Sequence, residues 1–165
     1  MESISPLNLP IIQYRNKFDS IEQIKADLQL IRKHYHGKII INDHISLIEY
    51  ADGIHLGQED LEAIAVDKRE AIDIIREKIG DKILGISTHN TKEIEEANTL
   101  AIDYIGLGAY RHTDTKHDAN VGGEELLEIA KLSTHPVAII GGVRLDDKFG
   151  EEISYMVVGS GLYDR

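Results

Sequence analysis

Residues 82–108 read KILGISTHNTKEIEEANTLAIDYIGLG, and this stretch decides the class of fold. An apolar run stands at each end, and between the two runs Ile94, Ala97 and Leu100 recur at helical spacing. Neither apolar run alternates steadily with polar residues, which is typical of strands buried on both faces of a parallel sheet. The stretch therefore predicts a strand, a helix and a second parallel strand.

The same alternation extends from this unit toward both ends of the chain. Apolar runs predict strands at residues 10–14, 38–42, 53–57, 82–87, 104–108, 136–141 and 155–159. Helical periodicity stands at 21–35, 68–79, 90–100 and 124–132, with shorter helices expected at 45–50 and 147–152. We expect one α/β domain over residues 1–165, and periodicity alone leaves open a TIM-type barrel or an open doubly wound sheet.

Composition excludes several classes of function. The 165 residues carry a formal net charge of -11, so nucleic acid and anionic membranes would repel the molecule at long range. The absence of cysteine excludes disulfides, thiolate metal sites and a catalytic thiol. No apolar run approaches the length of a bilayer span, and the first residues lack the features of a signal peptide, so we expect a cytoplasmic protein.

Cationic side chains follow the first predicted strand. Gln13, Arg15 and Lys17 alternate, so an extended backbone would place them on one side. Arginine offers a planar fork to phosphate oxygens and lysine a point charge. The segment is therefore either a clamp for a polyphosphate or an ordinary polar surface.

Two carboxylates follow the next two strands. Asp43 stands at the end of the second strand and Asp60 shortly after the third. Mg²⁺ binds one or two carboxylates and completes its octahedron with phosphate oxygens and water. Either residue could instead cap a helix, but the pair beside a cationic clamp favours a metal site.

The later strand ends add groups suited to anions. Ser87 and His89 precede a helix amino terminus, and a long polar loop over 111–123, which carries Lys116, is expected to act as a lid. Glycines follow the last two strands, at 141–142 and at 159 and 161, and glycine lets backbone N–H groups approach a phosphate.

Several of these motifs occur together in one known family. They are Gln13-Tyr14-Arg15-Asn16-Lys17, Ile41-Asn42-Asp43, His55-Leu56-Gly57-Gln58-Glu59-Asp60, Gly85-Ile86-Ser87-Thr88-His89, Thr113-Asp114-Thr115-Lys116 and Ile139-Ile140-Gly141-Gly142. In this order they resemble the thiamine-phosphate synthases over nearly the whole chain. The resemblance implies a TIM-type (β/α) barrel with about seven parallel strands, its first βα unit and last helix being reduced. The sequence Gly-Ala-Tyr-Arg-His-Thr at 108–113 departs from the family, which usually has prolines there.

The resemblance also implies an activity and a role for each matching residue. The family joins hydroxymethylpyrimidine diphosphate to a thiazole phosphate and releases pyrophosphate. By this resemblance the diphosphate is bound by Arg15, Lys17, Asn42, Ser87 and Lys116, and its Mg²⁺ by Asp43 and Asp60. The pyrimidine contacts Gln13 and His55. The thiazole phosphate contacts Thr113, Thr115, Gly142, Gly159 and Ser160.

Two other functions stay open at this point. The first is a thiazole tautomerase or a related phosphosugar-type enzyme, although Asp43 and Asp60 speak against it. The second is a catalytically weak paralogue that senses a phosphorylated ligand. Because few residues precede the first strand, we also expect a second copy of the chain to cover the seam of the barrel, giving a homodimer.

Overall fold

The computed structural model describes residues 9–112 and 120–162, and strands and helices alternate along most of them as the sequence predicts. The strands are β1 (Ile11–Tyr14), β2 (Lys38–Asn42), β3 (Gly53–Leu56), β4 (Ile83–Thr88), β5 (Tyr104–Leu107), β6 (Val137–Ile139) and β7 (Tyr155–Met156). The helices are α1 (Ile21–His34), α2 (Gln58–Ile64), α3 (Lys68–Ile79), α4 (Thr91–Ala97) and α5 (Glu125–Ala130), with 3-10 helices at Ile45–Tyr50 and Ser160–Leu162. Thr113, Thr115 and Lys116, with most of the expected lid, lie outside the described residues.

The described chain divides into two compact units. The first comprises the residues up to Leu56 together with Asp60–Leu84, and the second comprises Gly57–Glu59 together with the residues from Gly85 onward. The prediction of a single domain over the whole chain stays a prediction.

The first unit is built on three parallel strands. β1 pairs with β2, and β2 pairs with β3. Its core consists of aliphatic side chains that are fully or almost fully buried, contributed by α1, β2, β3 and α3: Ile24, Leu28, Ile39, Ile41, Ile54, Ile72 and Ile75. Ser20 caps α1 and Asp67 caps α3, as their capping sequences predict.

A polar network anchors the amino-terminal ends of these strands. The Asp52 carboxylate accepts from the backbone N–H of Ile39 at 2.8 Å and from Arg32 at 2.5 Å. The Lys82 ammonium donates to the carbonyl oxygens of Ile48 at 2.7 Å and Ala51 at 2.6 Å, which lie at the end of the first 3-10 helix. These contacts therefore tie α1 to β2 and hold the end of the first 3-10 helix against Lys82, which precedes β4.

The second unit is also parallel. β4, from Gly85 onward, pairs with β5, β5 pairs with β6, and β6 pairs with β7. Its buried side chains come from β4, α4, β5, α5 and β6: Ile86, Ile94, Ile105, Leu107, Leu126 and Ile139. A side chain at Gly85 would meet the Tyr104 ring at 2.1 Å, so glycine is required for β4 to pack against that ring.

Some elements differ from the sequence prediction: β6 and β7 are shorter than predicted, and the 3-10 helix at Ser160–Leu162 was not predicted. Residues 58–64 form α2, which the sequence did not indicate, because only Leu61 of its residues is buried and so short a helix gives no periodic pattern. The helix predicted at 147–152 was wrong: irregular backbone at 147–150 and a turn at 151–152 stand there, and Asp147 uses its carboxylate to bind Arg111 and the backbone of Arg144. None of the helices in the described part of the chain is long and apolar enough to cross a membrane.

Candidate functional site

The carboxyl ends of β1 and β2 bring predicted ligand groups together in the first unit. The Lys17 ammonium lies 3.4 Å from the Asp43 carboxylate. Asp43 also faces Asp60, which stands in the first turn of α2. The predicted carboxylate pair and one of its cations are therefore in one place.

The charge state of Asp43 depends on burial and on both charged neighbours. Burial raises the pKa of Asp43, and the neighbouring Asp60 raises it further, while Lys17 opposes both effects. Two carboxylates at such close range repel each other in the absence of a cation that neutralises both. No cluster of three or more metal-ligating side chains is found within residues 9–112 and 120–162, and a pair of carboxylates suits Mg²⁺, which takes its other ligands from phosphate and water.

The backbone conformation and hydrogen bonds of Asp43 hold its carboxylate at the end of β2. Asp43 has φ of 70°, a conformation that Asp and Asn tolerate better than most residues. Its N–H donates to the carbonyl oxygen of His55 at 3.1 Å, which continues the β2–β3 pairing by one residue. The turn that follows begins the 3-10 helix, so the carboxylate is held at the end of β2.

Asn42 lies between Gln13 and Asp43, and its side-chain amide can donate a hydrogen bond to either side chain. With its nitrogen turned toward Asp43 it donates to both carboxylate oxygens, at 2.8 and 2.7 Å, and in the opposite orientation it donates to Gln13 at 3.3 Å. We favour the first orientation because charge-assisted hydrogen bonds are the stronger. Asn42 then positions Asp43.

Arg15 and His55 complete the predicted set in the first unit. Arg15 is exposed, and its guanidinium has no partner among the residues that the structure describes. A free guanidinium beside a lysine suits an incoming phosphate. His55 is 4% exposed, on β3.

Sequence reasoning missed how the β1 loop is held. The His44 ring nitrogen Nε2 lies 3.0 Å from the carbonyl oxygen of Asn16, joining the loop after β2 to the loop that carries Arg15 and Lys17. The Asn16 side chain accepts from the backbone N–H groups of Phe18 and Asp19. The only signal in the sequence was that Asn is common in turns.

In the second unit, Ser87 lies at the end of β4. Its carbonyl oxygen accepts from the Gln58 side chain at 2.6 Å. The other amide atom, Gln58 Oε1, is buried without a hydrogen bond from the described protein groups, which sequence reasoning also missed. His89 binds Glu93 through its backbone N–H and its ring, so it completes the start of α4.

The two glycine turns of the second unit lie against each other. A side chain at Gly161 would meet the carbonyl oxygen of Val143 at 3.0 Å. Gly159 opens onto free space, since no atom of the described residues lies within 4 Å of where a Cβ would stand, and Ser160 begins the last 3-10 helix. Gly142 has φ of 61° and follows Gly141 with φ of 93°, so both positions favour glycine.

Parallel strands that alternate with helices define an α/β protein, and in each unit charged side chains or glycine turns stand at strand ends. Residues 2–148 match the family model described as thiamine monophosphate synthase. The chain belongs to that family.

Individual relatives agree with this assignment. The chain is 38% identical to a thiamine-phosphate synthase of Persephonella marina, over 81% of this chain and 63% of the relative. It is 39% identical to one of Clostridium botulinum, over 92% of this chain and 72% of the relative. The chain thus spans less than two thirds of the length of several curated relatives, including those of Persephonella marina and, at 60%, Aquifex aeolicus.

A solved structure confirms the class of fold. The thiamine phosphate pyrophosphorylase of Pyrococcus furiosus superimposes with a TM-score of 0.69 at 27% identity, over 87% of this chain and 69% of that one. The predicted α/β fold of the TIM-barrel type is therefore confirmed.

Proposed function

We propose that this chain carries thiamine-phosphate synthase activity, joining hydroxymethylpyrimidine diphosphate to a thiazole phosphate. The observation that carries the proposal is the Asp43 and Asp60 pair beside Lys17, at the carboxyl ends of strands in the first unit. Such a group of charges suits a diphosphate that arrives with a divalent cation. The two substrates named in this proposal are those of the family to which the chain belongs.

The reaction needs a stabilised leaving group more than a base. The bond between the pyrimidine methylene carbon and the diphosphate oxygen breaks, and both electrons leave with the diphosphate. The thiazole ring nitrogen supplies the electron pair for the new C–N bond, so no proton has to be removed. Cationic groups around the diphosphate therefore provide the main catalytic effect.

Each predicted residue has a role in this proposal. Asp43 and Asp60 would hold Mg²⁺, which when bound neutralises charge on the departing diphosphate. Arg15 and Lys17 bind diphosphate oxygens, and Asn42 keeps Asp43 in place. The remaining predicted contacts keep the roles given by the family: Ser87 and Lys116 for diphosphate, Gln13 and His55 for the pyrimidine, and Thr113, Thr115, Gly142, Gly159 and Ser160 for the thiazole phosphate.

Product formation tests the proposal. Purified protein is incubated with both substrates and MgCl₂, and thiamine phosphate is measured by mass spectrometry. We expect Mg²⁺-dependent product from the wild type, loss of that product in Asp60→Asn, and no loss in Asp73→Asn, an exposed carboxylate on α3 of the same unit. Tight binding of pyrophosphate without product would favour a sensing paralogue, and isomerisation of the thiazole alone would favour a tautomerase.

The assembly and cellular location stay predictions. A homodimer and a cytoplasmic location are the expectations. Light scattering coupled to size exclusion tests the first, since a mass of 18.5 kDa at micromolar concentration would contradict it.

A further inference from the structure

Arg111 is bound to the glycine turn after β6 through both its backbone and its side chain. Its N–H donates to the carbonyl oxygen of Gly141 at 3.0 Å. Its guanidinium nitrogen Nη1 donates to the carbonyl oxygen of Gly142 at 2.9 Å. One residue therefore binds two consecutive carbonyl groups of the turn.

Asp147 fixes the guanidinium in this position. The two side chains form a bidentate pair, with Nη1 and Nη2 of Arg111 at 2.6 and 2.9 Å from the two oxygens of Asp147. Asp147 also accepts from the backbone N–H of Arg144 at 2.8 Å, and the guanidinium stacks 4.6 Å from the centre of the Tyr110 ring. The Asp147 side chain is 14% exposed and that of Arg111 is 38% exposed, so the pair is partly shielded from solvent.

This pairing leaves Arg111 poorly suited to bind an anion directly. Its charge is compensated by Asp147, and its Nη1 and Nη2 groups already bind protein acceptors. An ion pair of this kind acts on its surroundings mainly by fixing geometry. The group that it fixes is the backbone of the glycine turn.

The geometry of the peptide bond gives the consequence for the turn. The peptides after Gly141 and after Gly142 are trans, and in a trans peptide the N–H points opposite to the C=O. Because both carbonyl groups point to Arg111, the N–H groups of Gly142 and Val143 point away from it. Neither N–H donates to any group within the described residues. Val143 is buried and Gly142 is partly exposed, so the Gly142 N–H is the one that an anion could reach.

We propose that Arg111 and Asp147 are positioning residues that hold the backbone N–H group of Gly142 toward the thiazole phosphate. The inference deepens the proposed function and rests on it for the identity of the ligand. The residue at 111 lies in the segment where this chain departs from the family pattern.

A purely structural role for the pair predicts a different result from a positioning role. Loss of stability alone would affect both substrates equally, whereas a misplaced glycine turn would affect the phosphate monoester and spare the pyrimidine diphosphate. The experiment therefore compares the two substrates in Arg111→Lys, which keeps the charge and loses the fork, and in Asp147→Asn, which keeps the shape.

Arg76 provides a matched control. It also donates from its guanidinium to two backbone carbonyl oxygens, those of Gly80 at 3.2 Å and Lys82 at 2.7 Å, in a turn of the first unit that holds no candidate ligand group. Arg76→Lys should therefore alter thermal stability and leave both substrate affinities unchanged.

Calorimetric titration with the thiazole phosphate and, separately, with pyrophosphate plus Mg²⁺ measures binding without turnover. We expect Arg111→Lys and Asp147→Asn each to weaken thiazole phosphate binding about tenfold and to change pyrophosphate binding less than about twofold. In steady-state kinetics KM for the thiazole phosphate should rise by the same factor, and KM for the pyrimidine diphosphate should stay constant.

Several results would overturn the inference. They are unchanged thiazole phosphate affinity in variants that stay folded by circular dichroism, equal losses for both ligands, or a wild type that binds no thiazole phosphate. Wild-type protein that binds the thiazole phosphate but makes no thiamine phosphate would instead refute the proposed function, while the binding comparison would still decide the role of Arg111.

Discussion

At the scale of single residues, Asp43 lies in the candidate site and has an unfavourable backbone conformation and an unfavourable charged neighbour. Its φ of 70° and its closeness to Asp60 both cost free energy in the absence of a cation. Unfavourable local chemistry of this kind is typical of functional sites. It is tolerated because the backbone on either side of Asp43 is bound to β3 and to the following 3-10 helix.

Replacing Asp43 with Asn should therefore separate stability from activity. Asn keeps the shape, tolerates positive φ and removes one of the two repelling charges. We expect Asp43→Asn to stabilise the metal-free protein by up to about 1 kcal/mol, measured as a rise in Tm of about 2–4 °C, and to abolish Mg²⁺-dependent turnover. Lys17→Met, which leaves the repulsion without its counterion, should lower Tm, and a lower Tm in Asp43→Asn would show that the charges do not repel significantly.

At the scale of elements, Asp52 joins α1 and β2, and its titration should be visible in the stability of the fold. Burial alone would raise the pKa of Asp52, but the hydrogen bond from Ile39 and the ion pair with Arg32 outweigh it, so the pKa lies below the ordinary 3.8. The stabilisation is then fully present above the pKa of the unfolded state and is lost as the pH falls through the folded-state pKa.

We expect urea unfolding to report this loss. Asp52→Asn should lower the free energy of unfolding at pH 7, and the difference from the wild type should shrink as the pH falls below about 4. Asp73→Asn provides the control, because Asp73 is exposed on α3. A difference that stays constant down to about pH 2.5, well below the ordinary Asp pKa, would mean that Asp52 acts by shape and not by charge.

A second prediction for the elements concerns Gly53, the first residue of β3. A side chain there would lie 2.5 Å from the carbonyl oxygen of Ile83 and 2.6 Å from the Ile83 side chain. Since backbone must shift to relieve the first contact, we expect Gly53→Ala to cost about 1–3 kcal/mol. Gly159→Ala, where no atom of the described residues lies within 4 Å, should change stability by less than about 0.5 kcal/mol, and similar urea midpoints for the two variants would refute the packing argument.

Sequence patterns located all seven strands, but they overestimated the lengths of β6 and β7 and predicted the short connecting segments poorly. Buried β2 and α3 have long apolar signals, and their predicted bounds, 38–42 and 68–79, agree with the structure. The 58–64 helix gave no periodic signal. Residues 147–152 do not form the predicted helix, and the Asp147 side chain contacts a distant loop instead. Such contacts join residues far apart in sequence, so local periodicity cannot reveal them.

The candidate site shows the same division. Asp43, Asp60 and Lys17 could be brought together from sequence because strand ends of a parallel sheet share one edge. Arg111 could not be assigned a role, because its partners Gly142 and Asp147 depend on the path of a loop and a turn. The roles of the remaining predicted residues stay predictions.

At the scale of the whole molecule, binding at the proposed metal site should stabilise the folded state as a unit. Ligands that bind only the folded protein add about 2.7 kcal/mol at one hundred times Kd. Because Asp43 and Asp60 leave coordination positions for phosphate oxygens, Mg²⁺ and pyrophosphate together should raise Tm by more than the sum of their separate effects. Scanning calorimetry measures the four conditions, with Asp60→Asn as the control that should lose the additional rise. Simple additivity in the wild type would argue against a shared site.

The anchoring network of Arg32, Asp52 and Lys82 has a consequence for how this protein could change over generations. In the first unit the network holds the starts of the strands, while the candidate ligand groups lie at their ends, about 13 Å away for a strand of four residues. Mutations that alter ligand preference at the strand ends therefore leave the anchors intact. Because of that separation, substitutions at the strand ends can change ligand specificity in this unit while the contacts that stabilise the fold at the strand starts are kept.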